Sequence, residues 1–167
     1  MAEQVTAVSD IEGIGIAQLI FNGFNLGATV GDTSVKITEL DYEDKIDKYA
    51  APIAIYEIGT MVEVAAKLRE ETITKLSRIS QTGTMDSTKL TYGRQAGTAK
   101  TGYRLVVRPK DSNYHDIVVY KAVPTVNWSI NYGNQTQRIY ETVFKGLIDE
   151  SRTENDKLFR FDESYSV

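Results

Sequence analysis

The sequence predicts an all-β domain, an antiparallel β-sandwich or partly closed barrel with one flanking α-helix. Three observations carry this. Apolar residues alternate with polar ones over several short runs, as in Val62, Val64, Ala66 and Leu68 against Glu63 and Lys67. Turn-forming clusters rich in Gly, Asn and Asp separate the runs. Only one segment has helical spacing, so the strand–helix alternation of a parallel α/β fold is absent. With 167 residues and 41% hydrophobic composition, the chain can bury about 70% of its unfolded surface in one core. We therefore expect a single domain over 1–167, with an N-terminal arm at 1–13 and a C-terminal segment at 150–167.

The elements follow in order. Residues 16–24 read as a strand in which Leu19 and Phe21 alternate with Gln18, Ile20 and Asn22, so both faces carry apolar weight. The stretch 27–32 is a turn whose glycines allow positive φ, and 33–40 is a second strand. Residues 41–54 are acidic and irregular, a long inter-strand loop of a kind usually reserved for function; a short amphipathic helix or a disordered insertion is the alternative. Residues 56–68 form the clearest strand, with Ile58, Val62, Val64, Ala66 and Leu68 on one face and Glu57, Glu63 and Lys67 on the other.

Residues 69–80 follow as a helix. Ile73, Leu76 and Ile79 make a narrow apolar stripe. Glu70 and Glu71 at one end and Lys75 and Arg78 at the other suit the helix dipole, and Glu71 and Lys75 form an i,i+4 pair. The β-branched run 72–74 argues against the helix. The polar connection 81–101 has room for a short hairpin around Lys89–Tyr92. Strands are expected at 103–108, 117–121, 123–131 and 137–148, with a turn at 131–134. In 123–131, Val126, Trp128 and Ile130 oppose Thr125, Asn127 and Ser129. A short closing strand is expected at 158–161.

Recognisable reaction chemistry is scarce. No cysteine is present, which removes a thiol nucleophile and thiolate metal ligands. The single histidine, His115, reads as an ordinary surface or capping residue, and one histidine among scattered carboxylates makes a poor metal site. Ala99-Lys100-Thr101 lacks the glycines of a phosphate loop, and Gly13-Ile14-Gly15 has Gln18 where a dinucleotide fingerprint needs its third glycine. Asp41-Tyr42-Glu43-Asp44 lacks the spacing of a calcium loop. We expect no enzyme, no cofactor and no metal. No apolar run is long enough to span a membrane, and the first residues lack the pattern of a secretory signal. Synthesis and assembly in the cytoplasm are the expectation.

Charge is unevenly placed within a net −4. Between 32 and 57 stand Asp32, Glu39, Asp41, Glu43, Asp44, Asp47 and Glu57 against three lysines; between 89 and 121 stand seven bases against Asp111 and Asp116. Opposite charges on two different surfaces suit head-to-tail contact between identical subunits. Two simply solvated clusters are an equally compatible reading.

The order of elements resembles the major tail tube proteins of long-tailed, siphovirus-type bacteriophages. Asn25-Leu26-Gly27-Ala28-Thr29-Val30-Gly31-Asp32 looks like the turn after their first strand. Arg138–Asp149 is similar to their penultimate strand, and Leu158-Phe159-Arg160-Phe161-Asp162 to their closing segment. These are patterns of turn and strand across most of the chain, and the insertion 81–101 has no counterpart.

The resemblance implies a structural subunit of the virion tail. Six copies form a ring, and rings stack into a tube that conducts DNA from capsid to host. Its partners would be copies of itself, the tape measure, tail terminator and baseplate or tip proteins, and DNA that passes without specific binding. There would be no membrane partner. Ring stacking would involve the loop 41–54, with Asp41, Tyr42, Glu43, Asp44, Lys45, Asp47, Lys48 and Tyr49. Glu57, Glu63 and Lys67, with Thr125, Asn127 and Ser129, are the candidates to face the channel. A tube subunit of a bacterial injection or secretion machine, a tail-completion protein, and a monomeric carbohydrate- or protein-binding sandwich module are the alternatives.

Overall fold

A computed structural model describes residues 17–27, 29–46, 51–69, 72–93, 96–110, 114–129 and 139–163, with the backbone alone for Trp128 and Ser129. Among the described residues, ten strands and one helix run in the order β1 (Ala17–Phe21), β2 (Phe24–Asn25), β3 (Ser34–Asp44), β4 (Ala54–Leu68), α1 (Ile73–Ile79), β5 (Thr84–Asp86), β6 (Lys89–Thr91), β7 (Tyr103–Pro109), β8 (Asp116–Ser129), β9 (Ile139–Leu147) and β10 (Phe159–Asp162). β5 and β6 form their own hairpin; the other strands join in one antiparallel sheet ordered β2-β1-β7-β8-β9-β4-β3, with β10 on β8. The fold is an all-β sandwich, and the sheet does not close into a barrel.

β8 folds this sheet over on itself. Its first half lies between β7 and β10, with Val118 opposite both Val106 and Arg160. Its second half pairs with β9 from Lys121 to Ser129. Between them the register with β7 slips, since Leu105 faces Val119 but Tyr103 faces Ala122. An extra residue of this kind bends a strand and reverses which side chains point inward. Val119 and Ala122 accordingly both reach the main core, whereas Val118 and Tyr120 lie on the other face.

Pro124 sits where β7 no longer pairs with β8, and its carbonyl accepts from Lys100 Nζ at 3.1 Å. The amide and carbonyl of one residue share an edge in an antiparallel strand, so the proline's missing donor faces the edge that has no partner strand among the described residues. The expected separate strands 117–121 and 123–131 are therefore one strand up to residue 129.

The core packs the two halves together. Leu19 and Phe21 from β1 and Leu105 from β7 meet Val62, Val64 and Leu68 from β4 and Phe144 from β9, all essentially inaccessible. The Phe21 and Phe144 rings lie 5.3 Å apart. A smaller cluster of Ile20, Val106, Val118 and Tyr120 occupies the opposite face of β1, β7 and β8. Both faces of β1 are thus buried, as the sequence suggests.

Several boundaries differ from expectation. The first strand ends at Phe21 because Asn22 and Gly23 both take positive φ, 52° and 77°. This two-residue turn pairs Phe21 with Phe24. The helix covers 73–79, not 69–80. Thr72 stands outside it as the N-cap and accepts from Lys75 N, so part of the β-branched run serves as a cap. Ile79 is buried and Leu76 packs on the core, but Ile73 is 42% exposed, so the expected stripe is only two residues long. The pair Glu71–Lys75 rests on a residue outside the described set. No helix among the described residues is long and apolar enough to cross a membrane.

Candidate assembly surface

The segment 41–54, expected as an irregular loop, begins and ends in strand. Asp41, Tyr42, Glu43 and Asp44 belong to β3, and Ala54 and Ile55 to β4; the two strands pair from Ser34–Ala65 out to Asp44–Ala54. Lys45 follows β3 directly, and Asp47, Lys48 and Tyr49 lie outside the described residues. β9 pairs with β4 only from Glu63 to Leu68. Beyond Val62 the hairpin is a two-stranded ribbon, roughly 25 Å long at about 3.3 Å per residue.

The two faces of the ribbon differ in chemistry, and Ile58 is the cause. Leu40 pairs with Gly59 and Asp41 with Glu57, so Ile58 is an extra residue in β4. Partners in a ladder share a face. Glu39–Thr60, Asp41–Glu57 and Glu43–Ile55 therefore continue the side that carries Val35–Val64 and Ile37–Val62. This face holds four carboxylates; Glu43 pairs with Lys45 at 2.6 Å, and Glu57 accepts from the Thr60 hydroxyl. The opposite face carries Thr38–Met61, Leu40–Gly59 and Tyr42–Tyr56. Tyr42, Tyr56 and Met61 are 58%, 57% and 50% exposed. The bulged Ile58 is itself 67% exposed. A solvated ribbon rarely carries so many large apolar groups together, and such a patch marks a contact surface.

The bulge also corrects one expectation. Glu57 does not share a face with Glu63 and Lys67, and Ile58 does not join the core stripe of Val62, Val64, Ala66 and Leu68. Glu63 and Lys67 do lie together, on the outer face of the half-sandwich formed by β3, β4, β9 and the end of β8. Cross-strand rows run Lys36–Glu63–Lys145–Val123 and Lys67–Glu141–Asn127, with Ala65–Val143–Thr125 between them. Thr125 and Asn127 are exposed here, and Val126 turns inward. Ser129 follows at the end of β8, opposite Ile139. Lys67 reaches Glu141 at 3.3 Å and Lys145 reaches Glu63 at 3.5 Å. This face is broad, polar and internally ion-paired.

The basic segment 89–121 does not form one patch. Arg108 binds Asp116 at 3.0 Å, Lys121 binds Asp149 at 2.9 Å, and Lys100 is tied to Pro124. The Lys121 contact, with help from the Ser151 hydroxyl, lowers the Asp149 carboxyl to about 2. Nearby, Tyr120 donates its hydroxyl to Asp156, which Arg152 also binds while stacking over the Tyr120 ring. Burial first, and the Asp156 contact second, raise the Tyr120 hydroxyl; the Tyr120 and Arg152 hydrogen bonds lower Asp156. These contacts fasten the segment 149–158 against β8. No spacing in the sequence signals them, because Tyr120 and Asp156 stand 36 residues apart.

A pocket of about 340 Å³ opens beside α1, lined in part by Phe21, Phe24, Arg78, Gln81 and Tyr103. The Arg78 guanidinium lies 3.3 Å above the Phe24 ring. Gln81 clamps Thr101 through both amide atoms. Thr101 and Lys100 of the phosphate-loop-like stretch thus have structural partners. His115 is exposed. Among the described residues no group of three or more His, Cys, Asp or Glu side chains is placed to hold a metal ion. No protein-family model matches the chain, and no curated protein is significantly similar to it.

Proposed function

We propose that this chain is a structural subunit of a phage-type tail tube, assembling with copies of itself into stacked rings around a DNA channel, and that it is not an enzyme. One observation carries the reading. The β3–β4 ribbon extends beyond the sheet, and Leu40, Tyr42, Tyr56, Ile58 and Met61 are left accessible in a single copy. Burying such a surface favours association at about 25 cal/mol per Å² of apolar area, before the costs of binding are subtracted. The resemblance to tail tube proteins supports the same conclusion and supplies the ring geometry. In this reading the ribbon, broader than the loop 41–54, makes the contact between rings.

The outer face with Glu63, Lys67, Thr125 and Asn127 is then the channel wall. Duplex DNA carries one negative charge per about 1.7 Å of axis, and unpaired lysines would retain it by displacing its counterions. Pairing Lys67 with Glu141 and Lys145 with Glu63 offsets that attraction, so DNA meets a polar surface with little net pull. Glu57, on the ribbon's other face, drops out of the wall and joins the subunit contacts. A tube subunit of a bacterial injection machine would use the same surfaces. Such a protein would act in the virion tail or injection apparatus after assembly in the host cytoplasm.

Negative-stain electron microscopy of concentrated protein tests the proposal. Rings or tubes with a central hole are expected. Dispersed monomers at all concentrations, with a small ligand bound in the Arg78 pocket, would replace it with a binding-module reading.

A further inference from the structure

The ribbon's carboxylate face needs a counterpart, and the chain carries a region of opposite charge. Among the described residues from 72 to 104, Lys75, Arg78, Lys89, Lys100 and Arg104 stand against the single acid Asp86. Lys89 is exposed on the β5–β6 hairpin, and Arg78 lines the pocket whose wall includes the 42% exposed Phe24. This lobe is tied through 69–72 to the Leu68 end of β4, whereas the ribbon is the Ala54 end. α1 packs back on the sandwich, with Ile79 in the core and Arg78 over Phe24, so the lobe is built from elements other than the ribbon. The acidic face and the basic lobe are therefore two different surfaces of one subunit, the arrangement of a head-to-tail contact that repeats without closing on itself.

We propose that the carboxylate face of the ribbon, with Glu39, Asp41 and Glu57, docks on the α1 and β5–β6 lobe of a second copy around Arg78 and Lys89. The apolar face with Tyr42 and Tyr56 is buried in the same association. Opposite charges fix which face of the ribbon meets the lobe, and the apolar groups supply most of the affinity. The bulge at Ile58 matters because it places Glu57 beside Asp41 on the docking side. This inference rests on the self-assembly proposed above and names the two surfaces that meet.

Paired charge reversal tests it. One variant carries Asp41→Lys and Glu57→Lys, the other Arg78→Glu and Lys89→Glu, and circular dichroism establishes that each is folded. Each variant alone presents like charges at every contact. We expect each to need more than about tenfold higher concentration than the unaltered chain to assemble. An equimolar mixture restores opposite charges at both kinds of contact, so assembly should recover, as seen by sedimentation and microscopy. Assembly of the unaltered chain without recovery in the mixture would overturn this docking and leave self-assembly standing. An unaltered chain that stays monomeric throughout would overturn both.

Discussion

Glu57 and Glu63 lie six positions apart on one strand and point to opposite faces of it. Even spacing should put them on the same side. Glu63 pairs with Lys36 and Glu57 with Asp41, and the one extra residue, Ile58, reverses the alternation between them. The reversal gathers carboxylates on one side of the ribbon and leaves aromatic residues on the other.

The aromatic side should matter for assembly and little for the single chain. Tyr42 and Tyr56 are opposite each other and more than half exposed. Tyr42→Ser with Tyr56→Ser should change unfolding stability by no more than about 1 kcal/mol, since exposed substitutions usually cost little. The same variant should lose rings or tubes in the microscope. Normal tubes would show that this face is not an interface.

Reversing charge on the outer sheet face should change DNA handling before it changes folding. The pairs Lys67–Glu141 and Lys145–Glu63 are largely exposed, and such pairs contribute at most about 1 kcal/mol. Glu63→Lys with Glu141→Lys should leave assembly intact and make the wall basic. Assembled tubes should then retain duplex DNA at low salt and release it as salt rises. Indifference to DNA would place this face away from the channel.

Gly146 should not tolerate alanine. A Cβ there would collide with Val62 Cγ1 and come within 3.2 Å of Leu158 Cδ1, joining β9 to β4 and to the C-terminal segment with no room to spare. Overpacking of this kind costs about 1–3 kcal/mol. A denaturant midpoint unchanged by Gly146→Ala would contradict the packing of these three segments.

Acid should loosen the C-terminal segment. Asp149 and Asp156 titrate below the ordinary carboxylate range in the folded chain, so they bind protons more readily when unfolded. The Asp149 contribution is present above about pH 4 and is lost as pH falls toward about 2, and that of Asp156 is likewise lost toward acid. Tyr120 is raised, so its contribution is present below about pH 10 and is lost as pH rises further. Asp149→Asn should flatten part of the acid loss, and Tyr120→Phe part of the alkaline loss. Unfolding followed from pH 2 to 11 checks both signs.

The strands were legible wherever alternation was undisturbed, as in Val62–Leu68 or Thr125–Asn127. A hairpin was expected around Lys89–Tyr92, and Lys89–Thr91 is its second strand, paired with Thr84–Asp86. What escaped was wherever one residue was added to a ladder. Gly59 inside the run was a sign of a bulge available in the sequence, but alternation was carried through it and Glu57 was placed on the wrong side. The strand 116–129 was divided at Ala122, and no alternation in the sequence shows that pairing with β9 runs on through Ala122 and Pro124. The turn at Asn22-Gly23 was also missed, although Asn-Gly between apolar residues is a hairpin signal available in the sequence. The acidic character of 41–57 was visible at once; its confinement to one face was not.

The ribbon also has a place in time. β3 and β4 are consecutive in the chain and pair with one another along most of their length, whereas β1 must wait for β7 and β10 for β8 across longer stretches of chain. Local pairings close first because they lose less chain entropy. The surface through which copies meet can thus be formed while the core is still open, and a crowded population of half-folded chains would meet through it too early. Recovery from denaturant should consequently fall as protein concentration rises, and dilution should restore it.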